Sequence, residues 1–222
     1  MDQLDFYFLS REGTDRDARM IHRFNTLMIP AQRVEWVSND WLKQKGYDRY
    51  SCPWGHFKML SQFVNNSTKE FGMFFEDDVY LSKDLPTDLS FLINNMKKYK
   101  LDVLLTGYLI DRHPCKIDNS SIMTVGFYKF DNELWGSQSY ILTKNHAKYL
   151  LNKYNENYLD RCLAGEKLVP FSPDWTITKD GNRAIVYPMY AVEEGNINSD
   201  HQGQINFHRS CTQFNYKKDY YI

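Results

Sequence analysis

Residues 71–80 read FGMFFEDDVY, a short apolar run that ends on three adjacent carboxylates, Glu76, Asp77 and Asp78. A continuous apolar run of this length is typical of a strand that is buried on both faces of a sheet. Three like charges so close together repel one another unless a cation or water lies among them. The stretch therefore predicts a buried strand with either a cation site or an exposed charged turn at its end.

Short apolar runs alternate with helical periodicity along the rest of the chain. The predicted strands are Asp5–Ser10, Arg33–Ser38, Phe71–Phe75, Asp102–Ile110, Ser139–Leu142 and Arg183–Met189. The predicted helices run from Asp15 to Met28, over His56–Asn65, from Pro86 through Met96, and around Ala147, Leu150 and Leu151. Alternation of this kind predicts an α/β fold with a mostly parallel central sheet flanked by helices. No linker rich in glycine, serine or proline divides residues 1–222, so we expect one domain.

The bulk composition excludes several classes of protein. The net charge is −1, so no basic field attracts nucleic acid or an anionic membrane surface. The four cysteines are widely spaced without a C-x-x-C pair, as expected of free thiols in a reducing compartment. The amino terminus, MDQLDFYFLSREG, has too short an apolar core for a signal peptide or a membrane anchor. We therefore expect a soluble cytoplasmic protein without a membrane span.

The acidic triplet would lie at the carboxyl end of its strand, which is where open α/β sheets bind ligands. Strand alternation would place Glu76 and Asp78 on one side and Asp77 on the other. Two carboxylates that face one way suit Mg²⁺ or Mn²⁺, which prefer oxygen ligands. A charged turn that simply ends a strand is the alternative interpretation.

Phosphate-binding signals are limited to arginines after the first predicted strand. The sequence has no G-x-x-x-x-G-K-[ST] motif and no glycine-rich dinucleotide fingerprint. Residues 10–19, SREGTDRDAR, instead carry Arg11, Arg16 and Arg19, and Arg23 follows one turn later. Arginine beside a strand end can bind phosphate or stack on a base, and Arg11 lies nearest that end. For Arg19 and Arg23, ion pairs with nearby aspartates on an exposed helix face are the alternative.

Four motifs follow one another in an order that resembles a known family. They are CPWGH at Cys52–His56, FFEDDV at Phe74–Val79, WGSQSYILTKNHAKYLL at Trp135–Leu151 and PDW at Pro173–Trp175. The series resembles the glycosyltransferases of lipopolysaccharide biosynthesis and the related collagen galactosyltransferases. The opening FLSREGTDR fits the first strand and arginine-bearing loop of that family more loosely. The compact chain resembles a bacterial or viral member, such as one from a large DNA virus that infects algae.

The resemblance implies a GT-A-type, Rossmann-like fold, a nucleotide-sugar donor, and Mn²⁺ or Mg²⁺ held by an Asp-x-Asp-type motif. In this chain the resemblance implies that Asp78 is the direct metal ligand. Glu76 would help to hold the metal or would contact the donor ribose. Asp77 would contact the donor sugar or orient a neighbouring group. A metal bound there would neutralise the diphosphate that leaves during glycosyl transfer.

Further donor contacts follow from the same resemblance. Ser10, Arg11 and Arg16 would bind the donor from the loop after the first strand. Asp40, which follows the second predicted strand, would accept a hydrogen bond from uracil or ribose, or else cap a helix.

The late histidines and the CPWGH motif receive separate interpretations. GT-A enzymes often complete the metal shell with a late histidine or acid, so His208 and His201 are candidates, with Asp200 behind them. A surface or structural role is the alternative for either histidine. His56 would organise the fold beneath the acidic strand end, and Cys52 would be buried in the packing.

The resemblance favours an inverting reaction, which needs a general base for the proton of the acceptor hydroxyl. Asp174, in the SPDW turn, is the leading candidate, and Trp175 would stack on a sugar ring. Glu193 and Glu194 are the reserve candidates. A retaining reaction would not require a base of this kind.

Residues and resemblance together predict a metal-dependent glycosyltransferase. It would move a hexose from a UDP-sugar, UDP-glucose or UDP-galactose, to a glycan or glycoprotein acceptor. A metal-dependent phosphohydrolase is one alternative, but it normally needs a second acidic cluster, and the sequence shows none. A non-catalytic module that binds sugars or nucleotides is the other. We expect no nucleic-acid partner.

Overall fold

Helices and strands alternate along the computed structural model, which describes residues 3–36, 39–47, 50–116, 121–124, 126–129, 134–195, 199 and 201–222. The strands found there are β1 Leu4–Ser10, β2 Ala31–Glu35, β3 Phe71–Phe75, β4 Val79–Leu81, β5 Val103–Leu109, β6 Ser121–Thr124, β7 Phe127–Lys129, β8 Trp135–Thr143, β9 Arg183–Val186 and β10 Ala191–Glu193. The helices found there are α1 Asp15–Thr26, α2 Asn39–Lys45, α3 Ser51–Asn66, α4 Leu85–Lys98, α5 Lys144–Lys153, α6 Glu156–Leu163, α7 Pro173–Thr176 and α8 Gln202–Asn215.

Eight of these strands form one sheet, in the order β2-β1-β3-β8-β5-β9-β7-β6. β1 is parallel to both β2 and β3, and β5 is parallel to β9. β8 is antiparallel to β3 and β5, and β7 is antiparallel to β9 and β6. Six of the eight strands therefore point one way, and β7 and β8 are reversed. β4 and β10 pair separately as an antiparallel ribbon.

Helices cover both faces of the sheet because its central strands present apolar side chains in both directions. β3 and β5 are buried along their whole length. α1 and α4 pack on one face through residues such as Phe24 and Leu92. α3 and α5 pack on the other face through residues such as Phe63 and Leu150. This architecture confirms the predicted α/β class, with a mostly parallel central sheet flanked by helices.

Two predicted boundaries near the amino terminus are wrong. α1 ends at Thr26, because Met28 adopts a left-handed conformation with φ 52° and its side chain is exposed. β2 ends at Glu35, whereas the prediction extended it to Ser38. Residues 37 and 38 lie outside the described part of the chain.

The carboxyl-terminal part departs further from the prediction. β9 ends at Val186 rather than at Met189, because Pro188 has no N–H to donate to a neighbouring strand. The prediction also missed the short strands β4, β6, β7 and β10, which have three or four residues each. Segments this short show no readable alternation of apolar and polar residues.

The cysteines are all free thiols, as predicted. Within the described residues, none of the helices has both the length and the apolar character needed to cross a bilayer. A single domain over residues 1–222 stays a prediction.

Candidate active site

A cleft of about 280 Å³ lies at the carboxyl ends of β1, β2 and β3. Because these strands are parallel neighbours, the residues that follow them meet at one edge of the sheet. The cleft is lined by Leu9, Arg11, Thr14, Arg16, Trp36, Cys52, His56, Glu76, Asp77 and Asp78. The structure thus brings the acidic triplet together with two of the predicted arginines.

Arg16 bridges the two aspartates of the triplet. Its Nη1 lies 3.2 Å from Oδ1 of Asp77 and 3.2 Å from Oδ2 of Asp78. The hydroxyl of Ser10, the last residue of β1, donates a hydrogen bond of 3.3 Å to Oδ2 of Asp77. Thr14 caps α1 by accepting a backbone N–H of the first turn, which fixes the helix start that carries Arg16. One guanidinium group therefore faces two carboxylates.

Asp78 is incompletely satisfied. Its Oδ1 is buried and has no hydrogen-bond partner among the described residues. Burial and the charge of Glu76 raise the pKa of Asp78 from 3.8 to about 8, although Arg16 opposes the shift. An unsatisfied buried polar group costs roughly 1–3 kcal/mol, and more when it is charged. A divalent cation beside Oδ1 would remove that cost, so the chemistry of this residue fits a metal site.

Glu76 is held by residues of α3 and β8. Its Oε1 lies 3.2 Å from Nε2 of His56 and accepts a hydrogen bond of 2.8 Å from the hydroxyl of Ser137. Burial opposes ionisation, but these two neighbours hold the pKa of Glu76 below its usual value. His56 is itself fully buried, with Nδ1 2.9 Å from the hydroxyl of Tyr140. His56 therefore lies beneath the acidic strand end, where the sequence places it.

The acidic triplet does not follow the predicted strand alternation. β3 ends at Phe75, so Glu76, Asp77 and Asp78 occupy a turn rather than a strand. Asp77 and Asp78 contact the same guanidinium nitrogen, Nη1 of Arg16. The expectation that Asp77 faces away from Asp78 is therefore wrong.

His208 and Glu193 approach the acidic turn from the carboxyl-terminal part of the chain. Nδ1 of His208 lies 2.7 Å from Oε2 of Glu193, and this hydrogen bond raises the pKa of His208 despite burial. The charges of Asp78 and Glu76 raise that pKa further, so both lie within electrostatic reach of the imidazole. His208 therefore feels the charge of the acidic turn, and the structure adds Glu193 as its hydrogen-bond partner. Among the described residues, the ligand atoms of Asp78, Glu76 and His208 do not all lie within 4.8 Å of one another.

Two other predicted residues, His201 and Asp40, are absent from the cleft lining. His201 immediately precedes α8 and is exposed, and Asp200 lies outside the described residues. Asp40 is exposed in the first turn of α2, which begins at Asn39, so Asp40 is inside the helix and not at its N-cap. A carboxylate in that turn is favourable to the helix dipole. A role for Asp40 in donor binding stays a prediction.

Asp174 lies in α7, next to the start of β8. Its two carboxylate oxygens accept hydrogen bonds from the N–H of Gly136 and the hydroxyl of Ser172. Gly136 immediately precedes Ser137, which donates to Glu76, so Asp174 lies near the acidic turn. Each oxygen keeps a second lone pair, so Asp174 can still accept a proton.

Trp175, the residue after Asp174, packs against a second tryptophan. The ring centroids of Trp175 and Trp135 are 5.7 Å apart, and the rings are nearly perpendicular. The ammonium group of Lys179 lies 3.7 Å from the centroid of Trp175. Trp135 is 46% exposed, so it is the ring of this pair that offers more surface to a ligand.

Glu194 is held by two arginines of α1. Nε and Nη2 of Arg19 donate to it at 3.1 and 3.0 Å, and Nη1 of Arg23 lies 2.8 Å from Oε1. The side chain of Glu194 is 6% exposed. The alternative interpretation, in which these arginines pair with nearby aspartates, is therefore wrong. Their carboxylate partner is Glu194, which follows β10. We assign Glu194 a structural role in place of the reserve role as a base.

Sequence reasoning did not assign four of the cleft residues to the site, namely Leu9, Thr14, Trp36 and Cys52. The sequence predicts that Cys52 is buried, but it is exposed and lines the cleft in the first turn of α3, which begins at Ser51 rather than at the predicted His56. The spacing of Cys52 and His56 could have indicated that both lie on one helix face. Trp36, just beyond the end of β2, also lines the cleft. Its backbone N–H donates to the carbonyl of Ser10 at 3.1 Å.

Comparison with known families identifies the class of protein. Residues 11–163 match glycosyltransferase family 25, described as LPS biosynthesis protein. Because this match covers more than half of the 222 residues, the chain belongs to glycosyltransferase family 25. The predicted family is confirmed, and the enzyme class is that of a glycosyltransferase. Comparison with curated protein sequences gives no significant match.

Three solved structures show a distant likeness to this chain. Mannose-1-phosphate geranyltransferase from Thermus thermophilus is 11% identical, with a TM-score of 0.49, over 83% of this chain and 73% of that one. A197 from STIV is 11% identical, with a TM-score of 0.45, over 90% and 95%. TarS 1-349 from S. aureus is 11% identical, with a TM-score of 0.42, over 87% and 60%. At these scores the likenesses carry no functional argument, and none bears on the predicted viral or bacterial source.

Proposed function

We propose that this glycosyltransferase moves a hexose from a UDP-sugar, such as UDP-glucose or UDP-galactose, to a glycan or glycoprotein acceptor, with inversion and with a divalent cation. The observation that carries the proposal is the buried Oδ1 of Asp78, which has no partner among the described residues and belongs to the cleft at the strand ends. Membership of the family supplies the class of reaction.

Mn²⁺ or Mg²⁺ is the cofactor that suits the acidic turn. Asp78 would hold the ion directly, and Glu76 and His208 are the further ligands that we propose. Both ions prefer oxygen ligands, and a histidine nitrogen is acceptable to Mn²⁺. The bound ion would supply a Lewis acid that stabilises negative charge on the leaving diphosphate. Ser137 would orient Glu76 through its existing hydrogen bond.

The loop after β1 would bind the donor. Arg11 and Arg16 line the cleft, and the planar guanidinium group matches the oxygens of a phosphate. Asp77, which is held by Ser10 and Arg16, would contact the donor sugar or keep the arginine in place. Trp36 adds an aromatic ring at the end of β2 that a nucleobase could stack on.

Asp174 would act as the general base. In an inverting transfer, the oxygen of the acceptor hydroxyl attacks the anomeric carbon while the bond from that carbon to the diphosphate oxygen breaks. The bonding electron pair leaves with UDP, and the hydroxyl proton passes to a carboxylate oxygen of Asp174. Gly136 and Ser172 would orient that carboxylate through their hydrogen bonds. The exposed ring of Trp135 would offer a surface to the acceptor sugar.

A thermal-shift screen of nucleotide sugars with and without Mn²⁺, followed by product analysis, tests the proposal. We expect stabilisation by UDP-sugars that requires the ion, and slow release of UDP and free hexose when acceptor is absent. Release of UMP and hexose phosphate would indicate a phosphohydrolase, and binding without turnover would indicate a non-catalytic module. Failure of every UDP-sugar to bind would contradict the proposal directly.

A further inference from the structure

Cys52, His56 and Glu76 form a cluster of potential metal ligands in the cleft. Their ligand atoms, a sulfur, an imidazole nitrogen and a carboxylate oxygen, all lie within 4.8 Å of one another. Cys52 and His56 are one turn apart on α3, so both side chains lie on the same face of the helix. Glu76 follows β3, so two separate elements of the fold converge on this point.

The imidazole of His56 is oriented to act as a ligand. The residue is fully buried, and its Nε2 has no hydrogen-bond partner among the described residues, although Oε1 of Glu76 is 3.2 Å away. On the other side of the ring, Nδ1 lies 2.9 Å from the hydroxyl of Tyr140. In the metal-free protein the Nε2–H faces Glu76 and Nδ1 accepts from the hydroxyl of Tyr140. In the metal-bound protein the proton lies on Nδ1 and is donated to Tyr140, so the lone pair of Nε2 binds the metal.

The other two members are also prepared for a cation. The hydroxyl of Ser137 donates to Oε1 of Glu76 at 2.8 Å, and hydrogen bonds of this kind orient a ligating carboxylate. Cys52 is exposed in the first turn of α3 and lines the cleft, so an ion can enter the cluster from solution.

We propose that Cys52, His56 and Glu76 bind a thiophilic divalent cation, for which Zn²⁺ is the best match. Thiolate, imidazole and carboxylate are all zinc ligands, and zinc sites with three protein ligands keep a fourth position open. Ligand atoms of a tetrahedral zinc site lie about 3.2–3.8 Å apart, which small side-chain adjustments would reach from the observed separations.

This zinc site differs in chemistry from the proposed Mn²⁺ or Mg²⁺ site at Asp78. Hard ions prefer the carboxylates of the acidic turn, whereas the thiolate of Cys52 selects a softer ion. Glu76 is a proposed ligand in both sites, so an ion bound at one site would change the metal affinity of the other. The inference does not depend on the proposed donor or reaction, because binding is measured on the protein alone.

Co²⁺ replaces Zn²⁺ as a spectroscopic probe in the test, with untagged, reduced protein. We expect a thiolate-to-cobalt charge-transfer band that one equivalent of Zn²⁺ abolishes. The band should be absent in Cys52→Ser and present in the matched control Cys115→Ser, another exposed cysteine, and in Asp78→Asn. Zn²⁺ affinity, measured by competition with a chromophoric chelator, should fall about 10–100-fold in Tyr140→Phe.

A second measurement on the wild-type protein keeps the test independent of how the variants fold. Zn²⁺ should protect Cys52, and not Cys115, from alkylation, as determined by mass spectrometry of the labelled peptides. The proposal is overturned if the wild-type protein shows no charge-transfer band, or if the band persists in Cys52→Ser. If the band were also lost in Asp78→Asn, the ion would bind at the acidic turn, and the proposal of a separate zinc site would be overturned.

Discussion

Arg16 reaches one oxygen of Asp78 and leaves the other without a partner. Nη1 of Arg16 lies 3.2 Å from Oδ2, while Oδ1 is buried and has no hydrogen bond within the described part of the chain. Burial of a carboxylate in this state is costly, because desolvation favours its protonated form. A further positive charge beside Oδ1 would stabilise the folded protein, which links its stability to pH and to divalent ions.

We predict that the metal-free protein loses stability as the pH rises from about 4 to about 8. The pKa of Asp78 is raised in the folded state from 3.8 to about 8, so the folded protein holds this proton where the unfolded chain has released it. The free energy of unfolding therefore falls across this interval because of Asp78. Asp78→Asn should remove that contribution and stabilise the metal-free protein at pH 8 by about 1–3 kcal/mol. Urea denaturation at several pH values measures the effect.

Asp219→Asn is the matched control for this prediction, because Asp219 is exposed and does not line the cleft. Its stability should follow the wild-type curve at every pH. A pH dependence that is identical in Asp78→Asn and in the wild-type protein would show that Asp78 is not the group responsible.

His208 gives a pH dependence of the same sign, because its pKa is also raised in the folded state. Its pKa is raised above 6.5 by the hydrogen bond to Glu193, so the pair stabilises the fold fully below pH 6.5. That stabilisation is lost as the pH rises through the folded-state pKa. We expect His208→Gln to cost about 1.5–3 kcal/mol below pH 6.5, the usual contribution of a hydrogen bond to a charged group, and less at higher pH. A cost that does not change with pH would contradict this interpretation.

We predict that Asp174→Asn binds UDP-sugar normally but transfers the sugar about 10²–10⁴-fold more slowly, as expected for removal of a general base. Asparagine keeps the size of the side chain and cannot take the proton. Ser172→Ala is the matched control, because it removes one hydrogen bond to the carboxylate and keeps the base itself. Steady-state kinetics and calorimetric binding of the donor separate the two effects. Normal turnover in Asp174→Asn would remove the base role.

We predict that Glu194→Gln destabilises the protein by about 3–5 kcal/mol, because it leaves a buried arginine without its counter-charge. Arg23 and Glu194 are 7% and 6% exposed in their side chains, so water cannot replace the pair. Glu166→Gln is the matched control: its pair with Arg161 is 45% exposed on both sides, so its loss should leave the stability nearly unchanged. Equal losses of stability would contradict the assignment. Loss of turnover in Glu194→Gln without loss of stability would restore its candidacy as a base.

The buried centre of the fold could be predicted from the sequence, and the edges could not. The prediction for β3, Phe71–Phe75, is correct at both ends, because a continuous apolar run bounded by charges marks a fully buried strand. The direction of β8, which is antiparallel to both neighbours, is not encoded in its apolar pattern. Met28 ends α1 through a left-handed backbone conformation that helical periodicity does not reveal.

The sequence predicts which residues of the candidate site lie near one another, but it does not predict how their side chains are arranged. The carboxyl ends of parallel strands meet at one edge, so the acidic triplet and Arg16 could be expected to lie together. The direction in which each side chain points depends on the turn after Phe75 and on distant partners. Glu193 is an example, since it meets His208 only after the chain has passed through β10 and α8.

The proposed reaction depends above all on a divalent cation held by Asp78. The measurement is the rate of UDP release from a UDP-sugar by the wild-type protein and Asp78→Asn, with Mn²⁺ and then with excess chelator. We expect wild-type turnover that the chelator abolishes and added Mn²⁺ restores, together with loss of both donor binding and turnover in Asp78→Asn. Full activity of Asp78→Asn in the presence of the chelator would contradict the account.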